Sequence, residues 1–212
     1  MRNIIFDFDS TIVKNESFND VLKIALGDDK RKIKQIDEIV NKSMNGLITT
    51  KEAMDFRLQI ATINKKQIQE VIEKTEIVDG MEELIKELIK DNNIYIVSGG
   101  FTEMIMPTAN KLGINPEYVY ANEFVYDNDI VVEVKKNLLL EPQGKVKTIN
   151  NLLLEDKKIM VGDGWTDYET LLFSAVDEFI AFYGVIKREK VDAKANLKAN
   201  DANELKEILN LL

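Results

Sequence analysis

The residues of this chain that could do chemistry are carboxylates and a hydroxyl that directly follow strand-like runs. Asp7 and Asp9 follow the first run, Ser98 follows the second, and Asp163 follows the third. Asp7 and Asp9 are two residues apart, so in extended chain their side chains point the same way. Crowded carboxylates either raise one pKa or bind a cation, and such a pair can serve as nucleophile and proton donor.

The chain contains no histidine and no cysteine. A Ser-His-Asp triad, a thiol nucleophile, an imidazole base and the usual zinc site are therefore excluded. The chemistry must run on oxygen atoms together with Lys and Arg. Any metal would be a hard, oxygen-liganded ion of the Mg²⁺ or Ca²⁺ type.

Glycines surround the later candidates. Asp163 lies in a Gly-Asp-Gly turn with Asp167 four residues on, and a hard cation that bridges these acids and the first pair would relieve their repulsion. The alternative is an ordinary Asp-Gly turn. Ser98, Gly99 and Gly100 offer a hydroxyl and backbone N–H groups at a predicted helix start. This suits phosphate binding, or else it is a plain strand-to-helix turn.

The elements that must position these residues alternate between strand and helix. Residues 3–8, 94–97 and 158–161 are dense in Ile, Val, Phe and Tyr, which predicts buried parallel strands. Apolar residues at helical spacing predict helices over residues 80–91 and 145–154. The pattern predicts an α/β fold with a doubly wound parallel sheet. Ligands bind such sheets beyond the carboxyl ends of the strands.

Residues 15–76 contain no strand-like run and are rich in Lys, Glu, Gln and Asn. We expect a helical cap here, inserted after the first strand into a catalytic core of residues 1–14 and 77–212. Residues 118–134 alternate aromatic and β-branched residues and predict a small hairpin. The helix-start signals of the cap are Thr49 with Glu52 and Asn64 with Gln67.

The charge balance argues against nucleic acid as a partner, because 28 basic residues face 37 acidic ones and the net charge is −9. No apolar run approaches the roughly 20 residues of a membrane span, and no basic segment precedes the first strand. We therefore expect a cytoplasmic enzyme without a membrane partner. The sequence does not predict an oligomeric state.

The order of these segments resembles the haloacid dehalogenase superfamily, most closely its phosphoserine phosphatase branch. Residues 7–13 are similar to the first motif of the family, residues 97–101 to the second, and residues 161–164 with Asp167 to the fourth. Residues 179–191 resemble the closing strand and loop of the branch. The resemblance covers nearly the whole chain and implies a Rossmann-like core.

The resemblance implies a phosphomonoester hydrolase that uses Mg²⁺ and passes through an aspartyl-phosphate. Asp7 would be the nucleophile, and Asp9 the acid for the leaving alkoxide and then the base for water. The implied metal ligands are Asp7, the backbone carbonyl of Asp9 and Asp163, with Asp167 orienting a metal-bound water.

The resemblance also implies a substrate site. Ser98 and the N–H groups of Gly99 and Gly100 would bind phosphate oxygens. In the cap, Glu16 would bind the ammonium and Arg57 the carboxylate of a phosphorylated amino acid, for which a planar guanidinium is well suited. Without the resemblance, Glu16 and Arg57 would be interpreted as a solvated helix surface.

The chain departs from the family at the third motif, where a phosphate-binding Lys precedes a Gly but Gln143 stands here. The nearest lysines are Lys145 and Lys147. Lys145 is the candidate for the role, and the alternative is that Gln143 fills the position and leaves the phosphate less neutralised. Trp165 and Thr50 also differ from residues common in the branch. Phosphoserine, used in serine biosynthesis, is the predicted substrate. The alternatives are another small phosphorylated metabolite and a non-catalytic phosphate-binding relative.

Overall fold

The computed structural model describes residues 1–44 and 48–212. Runs of β-branched and aromatic residues form its strands, which are β1 (Arg2–Phe6), β2 (Asn92–Phe101), β3 (Val119–Asn122), β4 (Phe124–Asp127), β5 (Ile130–Val134), β6 (Lys158–Gly162), β7 (Glu178–Phe182) and β8 (Leu197–Ala199). Six of them form one sheet in the order β3-β2-β1-β6-β7-β8. All five pairings are parallel. The predicted α/β fold is therefore confirmed.

Amphipathic helices cover both faces of this sheet. On one face, Leu84, Ile105 and Leu205 pack with the strands, and on the other Val146 and Ile149 do so. Because both faces are covered, the central strands are continuous apolar runs without alternation. The helices are α1 (Ser17–Leu26), α2 (Lys30–Met44), α3 (Thr50–Ile60), α4 (Lys65–Lys74), α5 (Met81–Leu88), α6 (Thr102–Leu112), α7 (Gly144–Asn151), α8 (Trp165–Leu172), α9 (Glu189–Asp192) and α10 (Ala202–Leu211).

Helices α1 to α4 lie in the segment predicted to form the cap. Both predicted capping boxes are present. Thr49 Oγ1 accepts from Glu52 N at 3.1 Å and Asn64 Oδ1 accepts from Gln67 N at 3.0 Å, each with the reciprocal bond. These bonds satisfy N–H groups that a helix start otherwise leaves free. The predicted starts of α3 and α4 are therefore confirmed.

The expected hairpin at residues 118–134 is shorter than predicted. Only β4 and β5 pair antiparallel, whereas β3 is a parallel edge strand of the main sheet, with Val119 opposite Ile96. Phe124 and Val131 of the hairpin share a hydrophobic cluster with the apolar side chains of the cap helices. The hairpin thus packs against the helices of residues 15–76, because its apolar face meets theirs.

Two predicted boundaries change the environment of the candidate residues. β1 ends at Phe6 and not at residue 8, so Asp7 lies directly beyond the strand. β2 continues to Phe101, and α6 begins at Thr102. The expectation that Ser98 to Gly100 form a helix start is therefore wrong. The register with β3 shifts between Val97 and Phe101, so the two glycines lie at an irregularity of the pairing.

The other boundaries differ by a few residues at helix and strand ends. The predicted helices 80–91 and 145–154 are α5 and α7, each shorter than expected, and 94–97 is the middle of β2. Strand β8 was not predicted from the sequence. None of the helices described in residues 1–44 and 48–212 combines the length and apolar character needed to cross a membrane.

Candidate active site

The strand order brings the three candidate segments to one edge of the sheet. β1 lies between β2 and β6, and Phe6 stands opposite both Ile96 and Val161. The chain continues to β2 and β3 on one side of β1 and to β6, β7 and β8 on the other. Such a reversal of strand order opens a crevice at the carboxyl ends of the strands. Asp7 and Asp163 both lie at this crevice.

Three carboxylates form a compact cluster in the crevice. Asp7, Asp163 and Asp167 each offer an oxygen, and the three oxygens lie within 4.8 Å of one another. Burial, with the nearby Asp7 charge, raises the pKa of Asp163 to about 6, although the guanidinium of Arg188 opposes this shift. Burial and Asp7 also raise the pKa of Asp167, against the opposing ammonium of Lys145.

This cluster fits a hard divalent cation. Its donors are all carboxylate oxygens, which Mg²⁺ and Ca²⁺ prefer. Asp163 and Asp167 are 2% and 0% exposed, so water cannot stabilise their charges. Burial and the nearby negative charge of Asp7 raise the pKa values of both groups, because they disfavour the ionised carboxylates. A cation between the carboxylates would offset this cost of ionisation.

Gly162 makes room for Asp167. A Cβ at residue 162 would lie 2.4 Å from both Cγ and Oδ2 of Asp167. The Asp167 carboxylate thus packs directly against the end of β6, a contact that a larger residue would prevent. Its Oδ2 also accepts from Gly164 N at 2.9 Å at the start of α8.

Lys145 is the lysine that enters the crevice. Its Nζ lies 2.9 Å from Asp7 Oδ1 and 2.5 Å from Asp167 Oδ1. Gln143 is exposed with φ 57° just before α7, and Lys147 pairs with Glu141 at the surface. Burial lowers the pKa of Lys145, but the two carboxylates outweigh burial and raise it, so Lys145 is charged.

Asp9 lies apart from the carboxylate cluster. Its Oδ2 accepts from Ser17 Oγ at 3.0 Å and its Oδ1 accepts from Ser17 N at 3.2 Å. Burial and the neighbouring charge of Asp7 raise the pKa of Asp9 to about 8, although the Ser17 hydrogen bonds oppose the shift. Asp9 is therefore protonated at neutral pH and can donate a proton. Metal ligation by its backbone carbonyl stays a prediction.

The Ser98 to Gly100 segment presents an open, polar edge to the crevice. Ser98 is 1% exposed, and its Oγ accepts from Gly100 N at 3.0 Å. A Cβ on Gly99 would meet no atom within 4 Å, so space lies beside this residue. Asn122 Nδ2 donates to the Gly99 carbonyl at 2.8 Å and fixes the orientation of that peptide. A Cβ on Gly100 would approach Asp9 Oδ2 at 3.4 Å.

The two cap candidates differ in their contacts. Glu16 accepts from Ser10 Oγ at 3.0 Å and is half exposed. Arg57 stands over the ring of Phe18 at 5.5 Å, and its Nε is buried without a hydrogen-bond partner in residues 1–44 and 48–212. Burial lowers the pKa of Arg57, while the charge of Glu16 opposes the shift. An unpaired, buried guanidinium N–H in a cap is suited to an anionic partner.

Sequence reasoning missed two residues of the site. Arg188 Nε donates to Asp163 Oδ2 at 2.6 Å, and its Nη2 donates to Glu16 at 3.1 Å. Ser17 holds Asp9. The only sequence signal for Arg188 is its place in the loop after β7, whose carboxyl end borders the same crevice. Ser17 is marked only by following Glu16 at the start of the predicted cap.

The chain is similar in sequence and structure to known proteins. Residues 1–172 match the haloacid dehalogenase-like hydrolases. The chain belongs to this family. The resemblance stated from the motifs is thus confirmed. Phosphoserine phosphatase of Homo sapiens is 30% identical over 211 residues, which are 95% of this chain and 90% of the human protein.

Solved structures of the haloacid dehalogenase-like hydrolases agree with this assignment. A phosphoserine phosphohydrolase-like protein of Francisella tularensis superposes with a TM-score of 0.87 at 33% identity, covering 99% of this chain and 100% of its own. A phospho-aspartyl intermediate analogue of phosphoserine phosphatase superposes with a TM-score of 0.78 at 25% identity, covering 100% and 98%. Family, fold and similar proteins support a phosphoric monoester hydrolase.

Proposed function

We propose that this protein hydrolyses O-phospho-L-serine to L-serine and phosphate. The observation that carries the proposal is the pairing of two acids in one crevice. Asp7 lies beside the Lys145 ammonium, and Asp9 has a pKa of about 8. An ionised nucleophile and a protonated acid are what hydrolysis of a phosphate ester needs. The human relative and the Francisella neighbour support the same reaction.

The reaction runs in two displacements. An Asp7 carboxylate oxygen forms a bond to phosphorus while the bond to the serine oxygen breaks, and Asp9 donates its proton to that oxygen. Asp9 then takes a proton from water, whose oxygen attacks phosphorus and releases Asp7 and inorganic phosphate. Lys145, next to Asp7, stabilises the negative charge of the phosphoryl oxygens.

Mg²⁺ is the cofactor that we propose for this site. Asp7 and Asp163 would hold it, with the Asp9 carbonyl, and Asp167 would orient a water of its shell. When bound, Mg²⁺ supplies positive charge for the phosphoryl oxygens during transfer. Arg188 now occupies Asp163 Oδ2 and would have to share that carboxylate.

The substrate is recognised from both sides of the crevice. The Ser98 hydroxyl and the Gly99 N–H bind the phosphate from the sheet, and the Gly100 N–H joins them if it leaves Ser98 Oγ, to which it donates at 3.0 Å. From the cap, Glu16 binds the ammonium of the amino acid and Arg57 its carboxylate, which satisfies the buried Nε of Arg57. We further propose that the reaction takes place in the cytoplasm and serves serine biosynthesis.

Replacement of the nucleophile tests the reaction. We expect Asp7→Asn to abolish turnover of O-phospho-L-serine while the melting temperature stays near or above that of the wild type, because one crowded carboxylate is removed. Phosphate release and thermal unfolding are measured together. A fully active Asp7→Asn variant would exclude the covalent route, and a wild type that is inactive with Mg²⁺ would favour a non-catalytic phosphate-binding relative.

A comparison of two substrates tests the recognition of the amino acid. O-phosphoethanolamine lacks the carboxylate that Arg57 is proposed to bind. We expect Arg57→Ala to lower kcat/KM for O-phospho-L-serine by about tenfold to a hundredfold, as for a lost hydrogen bond to a charged group, with little effect on O-phosphoethanolamine. Equal losses on both esters, or a wild type that prefers the ester without a carboxylate, would favour another small phosphorylated metabolite.

A further inference from the structure

Ser17 joins the candidate acid of the core to the first helix of the cap. It is fully buried, and both of its hydrogen-bonding groups point to one carboxyl group. Its Oγ donates to Asp9 Oδ2 at 3.0 Å and its backbone N donates to Asp9 Oδ1 at 3.2 Å. Two bonds to two different oxygens restrain rotation of the Asp9 carboxyl group about its side-chain torsions.

The Ser17 hydroxyl has no role in starting its own helix. Glu16 is the residue before α1, and its side chain makes no capping bond. Ser17 is the first residue of α1, where the backbone N–H lacks a partner within the helix. Here that N–H binds Asp9. Loss of the Ser17 hydroxyl should therefore leave α1 formed, since Ala favours helix more than Ser does.

We propose that Ser17 is a positioning residue, which holds the Asp9 carboxyl group in the orientation that delivers its proton to the leaving oxygen. The inference rests on the acid role proposed above for Asp9. Because Ser17 opens the cap and Asp9 belongs to the core, the same bonds tie the orientation of the acid to the seating of α1. A misplaced acid lowers kcat/KM, which reports the first displacement, only for esters whose leaving oxygen must be protonated as it departs.

Leaving-group dependence tests the role. Phenyl phosphate and p-nitrophenyl phosphate have similar shapes, but nitrophenolate departs without much need of a proton. We expect Ser17→Ala to lower kcat/KM about tenfold or more for phenyl phosphate and for O-phospho-L-serine, and less than about threefold for p-nitrophenyl phosphate. Acetyl phosphate, whose acetate needs little protonation, replaces the nitrophenyl ester if the cap excludes aromatic rings.

Three variants complete the experiment. Ser17→Thr keeps the hydroxyl and should restore most of the phenyl phosphate activity. Thr75→Val removes another hydroxyl of the cap, which donates to Val71 O at 2.9 Å and lies far from Asp9 in the sequence. It should change kcat/KM for neither phenyl phosphate nor p-nitrophenyl phosphate. Asp9→Asn shows the full effect of losing the acid: kcat/KM should fall by about a hundredfold or more for phenyl phosphate and O-phospho-L-serine, and much less for p-nitrophenyl phosphate.

The outcomes separate this inference from the proposed function. If Asp9→Asn selectively slows phenyl phosphate but Ser17→Ala slows both esters equally or neither, Ser17 does not position the acid. A Ser17→Thr variant with the same selective loss as Ser17→Ala also contradicts the role of the hydroxyl. If Asp9→Asn shows no leaving-group dependence, the acid role in the proposed function is wrong. Unfolding curves recorded for each variant identify any loss of fold.

Discussion

At the scale of single residues, the site depends on where one ammonium group lies. Lys145 enters the crevice from the first turn of α7 and contacts two carboxylates, whereas Gln143 is exposed outside that helix. The structure thus places an ammonium group beside the carboxylates from the position two residues after Gln143. Lys145 reaches them because its side chain is buried in the first turn of α7.

Lys145→Ala tests this assignment. We expect kcat/KM to fall by about a hundredfold or more, since a charged group beside the transferred phosphoryl group typically contributes several kcal/mol to transition-state stabilisation. Lys147→Ala, in the same helix but paired with Glu141 at the surface, is the matched control and should stay within about twofold. Gln143→Ala is the second control. A larger loss in Gln143→Ala than in Lys145→Ala would reverse the assignment.

At the scale of elements, the end of β6 and the start of α8 form one unit around Asp167. Gly162 ends the strand without a side chain, and Asp167, one turn into the helix, fills the space that a Cβ would take. The carboxylate is thus held by the geometry of a strand-to-helix turn, through its bond from Gly164 N, in addition to its contact with Lys145.

Gly162→Ala tests this unit. The new methyl group would overlap Asp167, so we expect a destabilisation of about 1–3 kcal/mol and weaker divalent-metal binding by calorimetry. Gly99→Ala meets open space and should leave the melting temperature near that of the wild type. An unchanged melting temperature and metal affinity in Gly162→Ala would mean that Asp167 moves aside at little cost.

At the scale of the whole molecule, the carboxylates collected at one sheet edge make stability depend on pH. The pKa values of Asp9 and Asp163 rise from an ordinary 3.8 to about 8 and about 6. Between the ordinary pKa of 3.8 and these raised values, the folded chain binds more protons than the unfolded chain. The stability that these two groups contribute is therefore fully present below about pH 4 and is lost as the pH rises through their folded pKa values. This is the reverse of the usual behaviour of carboxylates in ion pairs.

We expect the metal-free protein to lose several degrees of melting temperature between about pH 5 and pH 8. Asp163→Asn should reduce this loss, and Mg²⁺ should reduce it in the wild type by offsetting the crowded charges. Asp28→Asn changes an exposed carboxyl group and should leave the pH dependence intact. A stability that rises with pH in this range would show that the carboxylates are not under strain.

The fold class and the meeting of Asp7 with Asp163 and Asp167 could be predicted from the sequence, because both depend on local patterns. Continuous apolar runs predicted parallel strands, and helical periodicity predicted α5 and α7. In parallel sheets, polar residues at strand ends share one edge, so Asp7 and Asp163 were predictable partners. The family resemblance added the order of the motifs and the candidate roles of Glu16 and Arg57.

Other contacts between distant segments could not be predicted from the sequence. Arg188 reaches Asp163 and Glu16 from the loop after β7, in which no site residue was predicted, and the choice of Lys145 over Gln143 depends on where α7 begins. The hairpin packs on the cap although its sequence lies within the predicted core. Side-chain reach and packing across the crevice depend on the positions of whole elements, which no local pattern encodes.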